Sequence, residues 1–343
     1  MDDLKSEIER LQGLVNGHFS FQFLSAAVEL DLFTLLSREP DLTRAQITER
    51  LQLQEQPARV LLLGCTSLGL LRKNGASYRC TDAAKFMFTG GTPWDQRTLV
   101  RWGSQTYAPM GRFLESLRRN TNVGLEEVEG TAPTLYGRLA HAPALEAVFH
   151  DMMGTVTRLV SKLLVAKTDL ATARRLLDVG GGDGTNAIAL ATRWPALRVT
   201  IFDLPSVCSA ARARIAAAGL ADRIDTVPGD CFADELPTGY DRVLFAHFLE
   251  IWSPAMIAGL LDKAQRACVV DGEVLLVNVM QDDDETGPVA SANASAYFLA
   301  LASGTGMAYT WNEYDAGLRA AGWTPSERLS LAPPHGLIRA TRR

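Results

Sequence analysis

The apolar residues of this chain follow two rhythms, and the change from one to the other divides it. Up to about residue 100 they recur every three or four positions. "FLSAAVELDLFTLLS" sets Leu24, Ala27, Val28, Leu32 and Leu35 along one helical face. In "DLTRAQITERL", Thr43 and Gln46 stand at the spacing of a capping box. "QPARVLLLGCTSLGLL" predicts a further helix with Pro57 near its first turn, and "LLRKNGASYRCTD" predicts a short hairpin turning at Asn74-Gly75. Helices followed by a hairpin predict a winged-helix module over residues 1–100. Residues 101–170 stay helical, most clearly in "ALEAVFHDMMGTVTRLVSKLL", and read as a connector that contributes to a substrate pocket.

From Arg174 onward the rhythm changes. "RLLDVG", "RVTIFD", "IDTVPGD", "YDRVLFAHF" and "EVLLVNVM" are apolar runs without alternation, as expected of parallel strands buried on both faces. Helical stretches such as "PSVCSAARARIAAAGL" and "PAMIAGLLDKAQRACV" supply the crossovers. Residues 171–343 therefore predict a doubly wound α/β domain.

Composition narrows the function. The 343 residues are 47% hydrophobic and 21% charged, with a net charge of −5, so no global field draws nucleic acid or an anionic membrane. The longest apolar run, Val269 to Met280, is broken by Asp271, Gly272 and Glu273, and the acidic N-terminus lacks the apolar segment of a signal peptide. Five scattered cysteines, at 65, 80, 208, 231 and 268, form no CxxC pair and point to free thiols in a reducing cytoplasm. The histidines and carboxylates show no metal-ligand spacing, and the run Asp282 to Glu285 reads as a solvated loop. No metal is expected.

The chemistry centres on "LLDVGGGDGTNAIAL", a strand running through a glycine cluster into a helix. A triphosphate loop would need a lysine after Gly184, where Thr185 stands, and the dinucleotide pattern fits poorly. What remains is Gly180 and Gly182 in a turn without basic residues, with Asp178 inside the strand. Asp203 closes the next strand and can accept both hydroxyls of a ribose. Asp230 closes the third and can accept from the amine of adenine, and Phe232 can cover the ring. Leu204 and Cys231 adjoin them. A nucleoside with little phosphate fits S-adenosylmethionine better than a dinucleotide.

These residues carry a family resemblance. "LLDVGGGDGT", "IFDLPSV", "GDCF" and "HGLIRATR" resemble the small-molecule O-methyltransferases that include plant caffeate enzymes and bacterial natural-product enzymes. "AAVELDLFTLLS" and the stretch from "LLLGCTSLG" to "DAAKFM" resemble the family's winged-helix dimerisation region, and "LYGRLAHAPALEAVFHDMMG" its middle helices. The resemblance implies a Rossmann-like methyltransferase domain behind a helical dimerisation domain, a homodimer, and methylation of a hydroxyl on a small, aromatic metabolite.

One stretch departs from the family. Where members carry L-H-D-W after the fourth strand, with the histidine as general base, this chain reads "FAHFLEIWS". Aligned on Trp252, Glu250 takes the histidine position, Ile251 the aspartate position and Ala246 that of a cofactor-touching lysine; Ala308 takes that of a further acidic partner, with Tyr309 next. His247 precedes Glu250 at i, i+3 spacing, which on a helix shares a face. Three readings stay open: Glu250 is the base, or His247 with Glu250 as its partner; the acceptor is acidic, or a ring carbon activated by a phenolate; or the chain binds the cofactor without transferring methyl. Met152, Met153, Trp252, Tyr297 and Phe298 are candidates for the acceptor pocket, and core packing explains several of them equally well.

Other function classes fit less well. A winged-helix transcriptional regulator needs several basic or amide side chains on its recognition helix, and "PARVLLLGCTSLG" offers Arg59 alone. A nicotinamide-dependent oxidoreductase would be favoured by a Tyr-x-x-x-Lys pair, which the chain lacks. A small-molecule acceptor and a second copy of the chain are the expected partners, with neither nucleic acid nor membrane.

Overall fold

The computed structural model describes residues 2–92 and 94–342. They form two compact units, Met1–Tyr107 with Ala147–Thr155, and Ala108–Glu146 with Val156–Arg343.

In the first unit, helices at Gly17–Glu29, Leu32–Arg38, Arg44–Arg50 and Glu55–Ser67 surround a small sheet. That sheet joins β1 (Leu42–Thr43), β2 (Leu71–Asn74) and β3 (Ser77–Cys80) in the order β1-β3-β2. Thr43 caps its helix as the spacing predicts: its side chain accepts from the Gln46 N–H while Gln46 Oε1 accepts from the Thr43 N–H. Gly75 turns the hairpin at φ +57°, a conformation glycine adopts without a Cβ penalty. Ala27, Val28 and Leu32 from the predicted stripe lie in the core with Leu36, Ile47, Leu61, Leu62 and Cys65, and Leu24 packs partly buried against it. Leu35 is only partly buried at its edge.

The second unit is built on a seven-stranded sheet of order β6-β5-β4-β7-β8-β10-β9. Its strands are β4 (Arg175–Val179), β5 (Arg198–Asp203), β6 (Ile224–Pro228), β7 (Tyr240–Ala246), β8 (Cys268–Val279), β9 (Trp323–Ser330) and β10 (His335–Arg342). β4 to β8 are parallel; β10 runs antiparallel to both β8 and β9. Leu176, Leu177 and Val179 are fully buried because apolar layers cover both faces of β4. Burying each such side chain contributes about 1.5–3 kcal/mol. The apolar run from Val269 lies in β8. No single helix among the described residues is long and apolar enough to cross a membrane.

The chain starts in the middle at β4, lays β5 and β6 on one side, then returns to place β7 on the other. That reversal sets β4 beside β7, a switch point at whose strand carboxyl ends open α/β sheets form their ligand crevice.

Candidate active site

The crevice is lined first by the glycine turn. Gly180, Gly182 and Gly184 all have positive φ, at +70°, +58° and +82°. A Cβ on Gly180 would overlap the ring of Phe248, which follows β7, so the bare backbone lets an aromatic side chain close the floor of the crevice. A Cβ on Gly182 would meet nothing within 4 Å, and this is the glycine that faces open space. Asp203 ties the turn to the end of β5. Its Oδ2 accepts from the Gly182 N–H at 2.9 Å and its Oδ1 from the Leu204 N–H at 2.7 Å. Burial raises the Asp203 carboxyl above its usual range, while these two amides act to lower it.

The end of β6 continues the wall. Asp230 is exposed and its Oδ1 accepts from the Phe232 N–H at 2.9 Å. Leu204 and Phe232 are large apolar side chains left 48% and 36% exposed at neighbouring strand ends, surfaces that a flat ring can cover. Cys231 is buried between them in sequence, and burial pushes its thiol up to about 12, so it stays neutral. The Phe232 ring meets Trp252 edge to face at 4.7 Å. This cradle suits an adenosine: carboxylates at two strand ends, an apolar rim, and a glycine turn with open space above it.

Beneath the turn lies Asp178. It is fully buried, no protein donor reaches either carboxylate oxygen, and burial together with Asp203 raises it to about 7. A buried carboxylate without donors is costly, so the proton or a cation must compensate it.

His247 and Glu250 come together, though not on a helix. His247 turns the chain at φ +53°, and a short 3₁₀ segment, Leu249–Ile251, follows. Left-handed backbone costs a side-chain-bearing residue about 1–2 kcal/mol, and here it swings the imidazole back toward Glu250. His247 Nδ1 lies 3.4 Å from Glu250 Oε1, both side chains nearly sealed from solvent, at 9% and 2% exposed. His247 Nε2 is buried and meets no protein partner. With its amide turned to suit its neighbours, Asn278 on β8 donates to Glu250 Oε2 at 2.5 Å and accepts from the Tyr314 hydroxyl at 3.2 Å. On the other flank, the His335 ring meets that of His247 edge to face at 4.9 Å. Burial first, then His247, push His335 down to about 4, and its Nδ1 lies 2.9 Å from the Ala332 carbonyl.

Beside this pair, Trp252, Tyr297 and Phe298 gather with Tyr136 and Ile251 in one apolar cluster. The Tyr136 and Tyr297 hydroxyls are 3.5 Å apart, and the Tyr309 hydroxyl donates to the Trp252 carbonyl at 2.7 Å. Met152 and Met153 belong to the other compact unit, where Met152 is buried and Met153 half-buried. The run Asp282 to Glu285 is tied into the fold: Asp283 accepts from the Asn312 N–H at 2.8 Å and pairs with Arg328 at 3.1 Å.

Sequence reasoning missed Phe248, Asn278, Tyr314 and His335. Each acts through a contact between distant segments that local pattern does not show, although Phe248 and His335 lie within the stretches "FAHFLEIWS" and "HGLIRATR".

Comparison with known proteins decides the family. A model described as an O-methyltransferase domain matches residues 115–324, and an O-methyltransferase dimerisation domain matches residues 12–90. The chain belongs to the O-methyltransferase family. It is an S-adenosylmethionine-dependent methyltransferase, with a helical dimerisation domain ahead of a Rossmann-like catalytic domain. The dimerisation domain supports assembly as a homodimer, and the family implies a small-molecule substrate. An L-tyrosine C(3)-methyltransferase of Streptomyces lavendulae is 40% identical over 341 residues, covering 98% of this chain and 93% of that protein. A 3-hydroxy-5-methyl-1-naphthoate 3-O-methyltransferase of Streptomyces sahachiroi is 34% identical over 325 residues, covering 94% and 92%. The crystal structure of the S-adenosylmethionine-dependent methyltransferase SibL superposes with a TM-score of 0.85 at 38% identity, covering 97% of this chain and 98% of that one.

Proposed function

We propose that this methyltransferase acts on a small phenolic acceptor and places the methyl group on the ring carbon beside the hydroxyl. The observation that carries this reading is the buried His247–Glu250 pair next to an aromatic cluster. S-adenosylmethionine, held by Gly182, Asp203, Leu204, Asp230, Cys231 and Phe232, supplies an electrophilic methyl group on a sulfonium. His247 Nε2 takes the phenolic proton, and Glu250 stabilises the resulting imidazolium through Nδ1. The phenolate then loads the adjacent ring carbon with charge, and that carbon forms the new C–C bond as the sulfonium S–methyl bond breaks and S-adenosylhomocysteine leaves. The ring proton departs to solvent and the His247 imidazolium returns its proton to the oxygen, which restores the aromatic phenol and the free base. Trp252, Tyr297 and Phe298 hold the ring in line, and such positioning accounts for several kcal/mol of the barrier, about 7–11 at its upper range. The L-tyrosine C(3)-methyltransferase relative supports carbon as the acceptor atom.

Transfer to the hydroxyl oxygen itself is the second reading, favoured by the 3-O-methyltransferase relative. It uses the same base and ends one step earlier. Incubation with methyl-labelled S-adenosylmethionine and a panel of phenols, L-tyrosine among them, separates the two by nuclear magnetic resonance. A methyl signal coupled to a ring carbon supports carbon transfer. A methoxy signal replaces it with the second reading, and no methylated phenol in the panel contradicts both.

A further inference from the structure

Lys263 lies in the helix Pro254–Ala267, which starts directly after the His247–Trp252 segment. Its ammonium donates to three main-chain carbonyls of one turn: Cys231 at 2.9 Å, Phe232 at 3.0 Å and Asp234 at 2.6 Å. An ammonium has three protons, so this turn takes up its whole donor capacity. The turn is also laced from within. The Asp230 N–H donates to Asp234 Oδ2 at 2.8 Å, the Phe232 N–H to Asp230 Oδ1 at 2.9 Å, and the Asp234 N–H to the Asp230 carbonyl at 2.7 Å.

Three carbonyl oxygens converging on one point repel each other unless a cation sits between them. Lys263 is that cation, and the turn it gathers carries Asp230 and Phe232. We propose that Lys263 is a positioning residue for the cofactor: it fixes the turn that presents Asp230 to the amine of adenine and Phe232 to the ring face. The proposal rests on assigning that turn to the adenine. The contact between Phe232 and Trp252 extends the effect, because a displaced Phe232 also loosens one wall of the acceptor cluster.

The test uses the full-length protein and calorimetry with S-adenosylhomocysteine and with S-inosylhomocysteine, which lacks the adenine amine. Wild type should bind the first and lose affinity for the second; failure of either arm sinks the assignment of the turn itself. In Lys263→Met, affinity for S-adenosylhomocysteine should fall about tenfold or more, the scale of losing charge-assisted hydrogen bonds. The penalty for removing the amine should also shrink, because Asp230 is no longer held in place. KM for the cofactor should rise much more than kcat falls. Lys263→Arg keeps a cation in the turn and should recover part of the affinity, which keeps the test open if Lys263→Met folds poorly. Wild-type affinity in the Met variant, or an undiminished penalty for the inosine analogue, overturns the role of Lys263.

Discussion

Gly180, at the end of β4, and Phe248, just past the end of β7, occupy the same space: the ring lies where a Cβ on the glycine would be. Gly182, two residues on, faces open space instead. The two glycines should therefore fail differently. Gly180→Ala should lower the melting temperature, because it adds an aromatic overlap to the roughly 1 kcal/mol of left-handed strain. Gly182→Ala carries only the strain, and should fold while losing most of its affinity for S-adenosylhomocysteine. Thermal melts and calorimetry on both variants check this; a Gly182→Ala protein with wild-type affinity would remove that glycine from the cofactor site.

Asp178 should make both stability and cofactor affinity depend on pH. Its folded value of about 7 lies above the ordinary 3.8, so between these values the folded chain keeps a proton that the unfolded chain has released. This contribution is complete below the unfolded value and is lost as the pH rises through about 7. Asp178→Asn stays neutral throughout. The melting temperature of the variant relative to wild type should climb across that window and level off above it. A cationic cofactor favours the ionised form, so wild-type affinity should strengthen with pH over the same range. A constant difference in melting temperature would contradict the assignment.

The helix Asp2–Val15 leaves Leu4, Ile8, Leu11 and Val15 exposed at helical spacing, a stripe that a monomer would expose to water. Light scattering of the full chain at micromolar concentration should give twice the chain mass. Charges in the stripe, as in Leu11→Glu with Val15→Glu, should shift the mass toward one chain. An unchanged dimer would assign the interface to other parts of the first unit.

The parts of the fold legible in the sequence are those set by local pattern. β4, β5 and β7 are apolar runs because both their faces are covered, and the Thr43 cap is a rule of local spacing. β9 was not legible: it is an edge strand with Pro325 and the exposed run Ser326 to Arg328, so nothing marks it as part of a sheet. The positions of Asp203 and Asp230 at the ends of β5 and β6 were legible because strand ends could be counted. The surroundings of Glu250 were not, since Asn278 and Tyr314 reach it from other elements. The meeting of His247 with Glu250 was expected from helical spacing, yet it arises from a left-handed residue and a 3₁₀ turn.

The central claim is that His247 and Glu250 act as one base, and single-turnover methylation across a double-mutant cycle tests it most directly. Glu250→Gln and His247→Ala should each slow methyl transfer by about 10²-fold or more, the scale of general base catalysis. The double variant should be little slower than either, because residues that act as a unit are not additive. Near-wild-type rates in both single variants, or losses that multiply in the double variant, would contradict the pair and leave positioning as the source of catalysis.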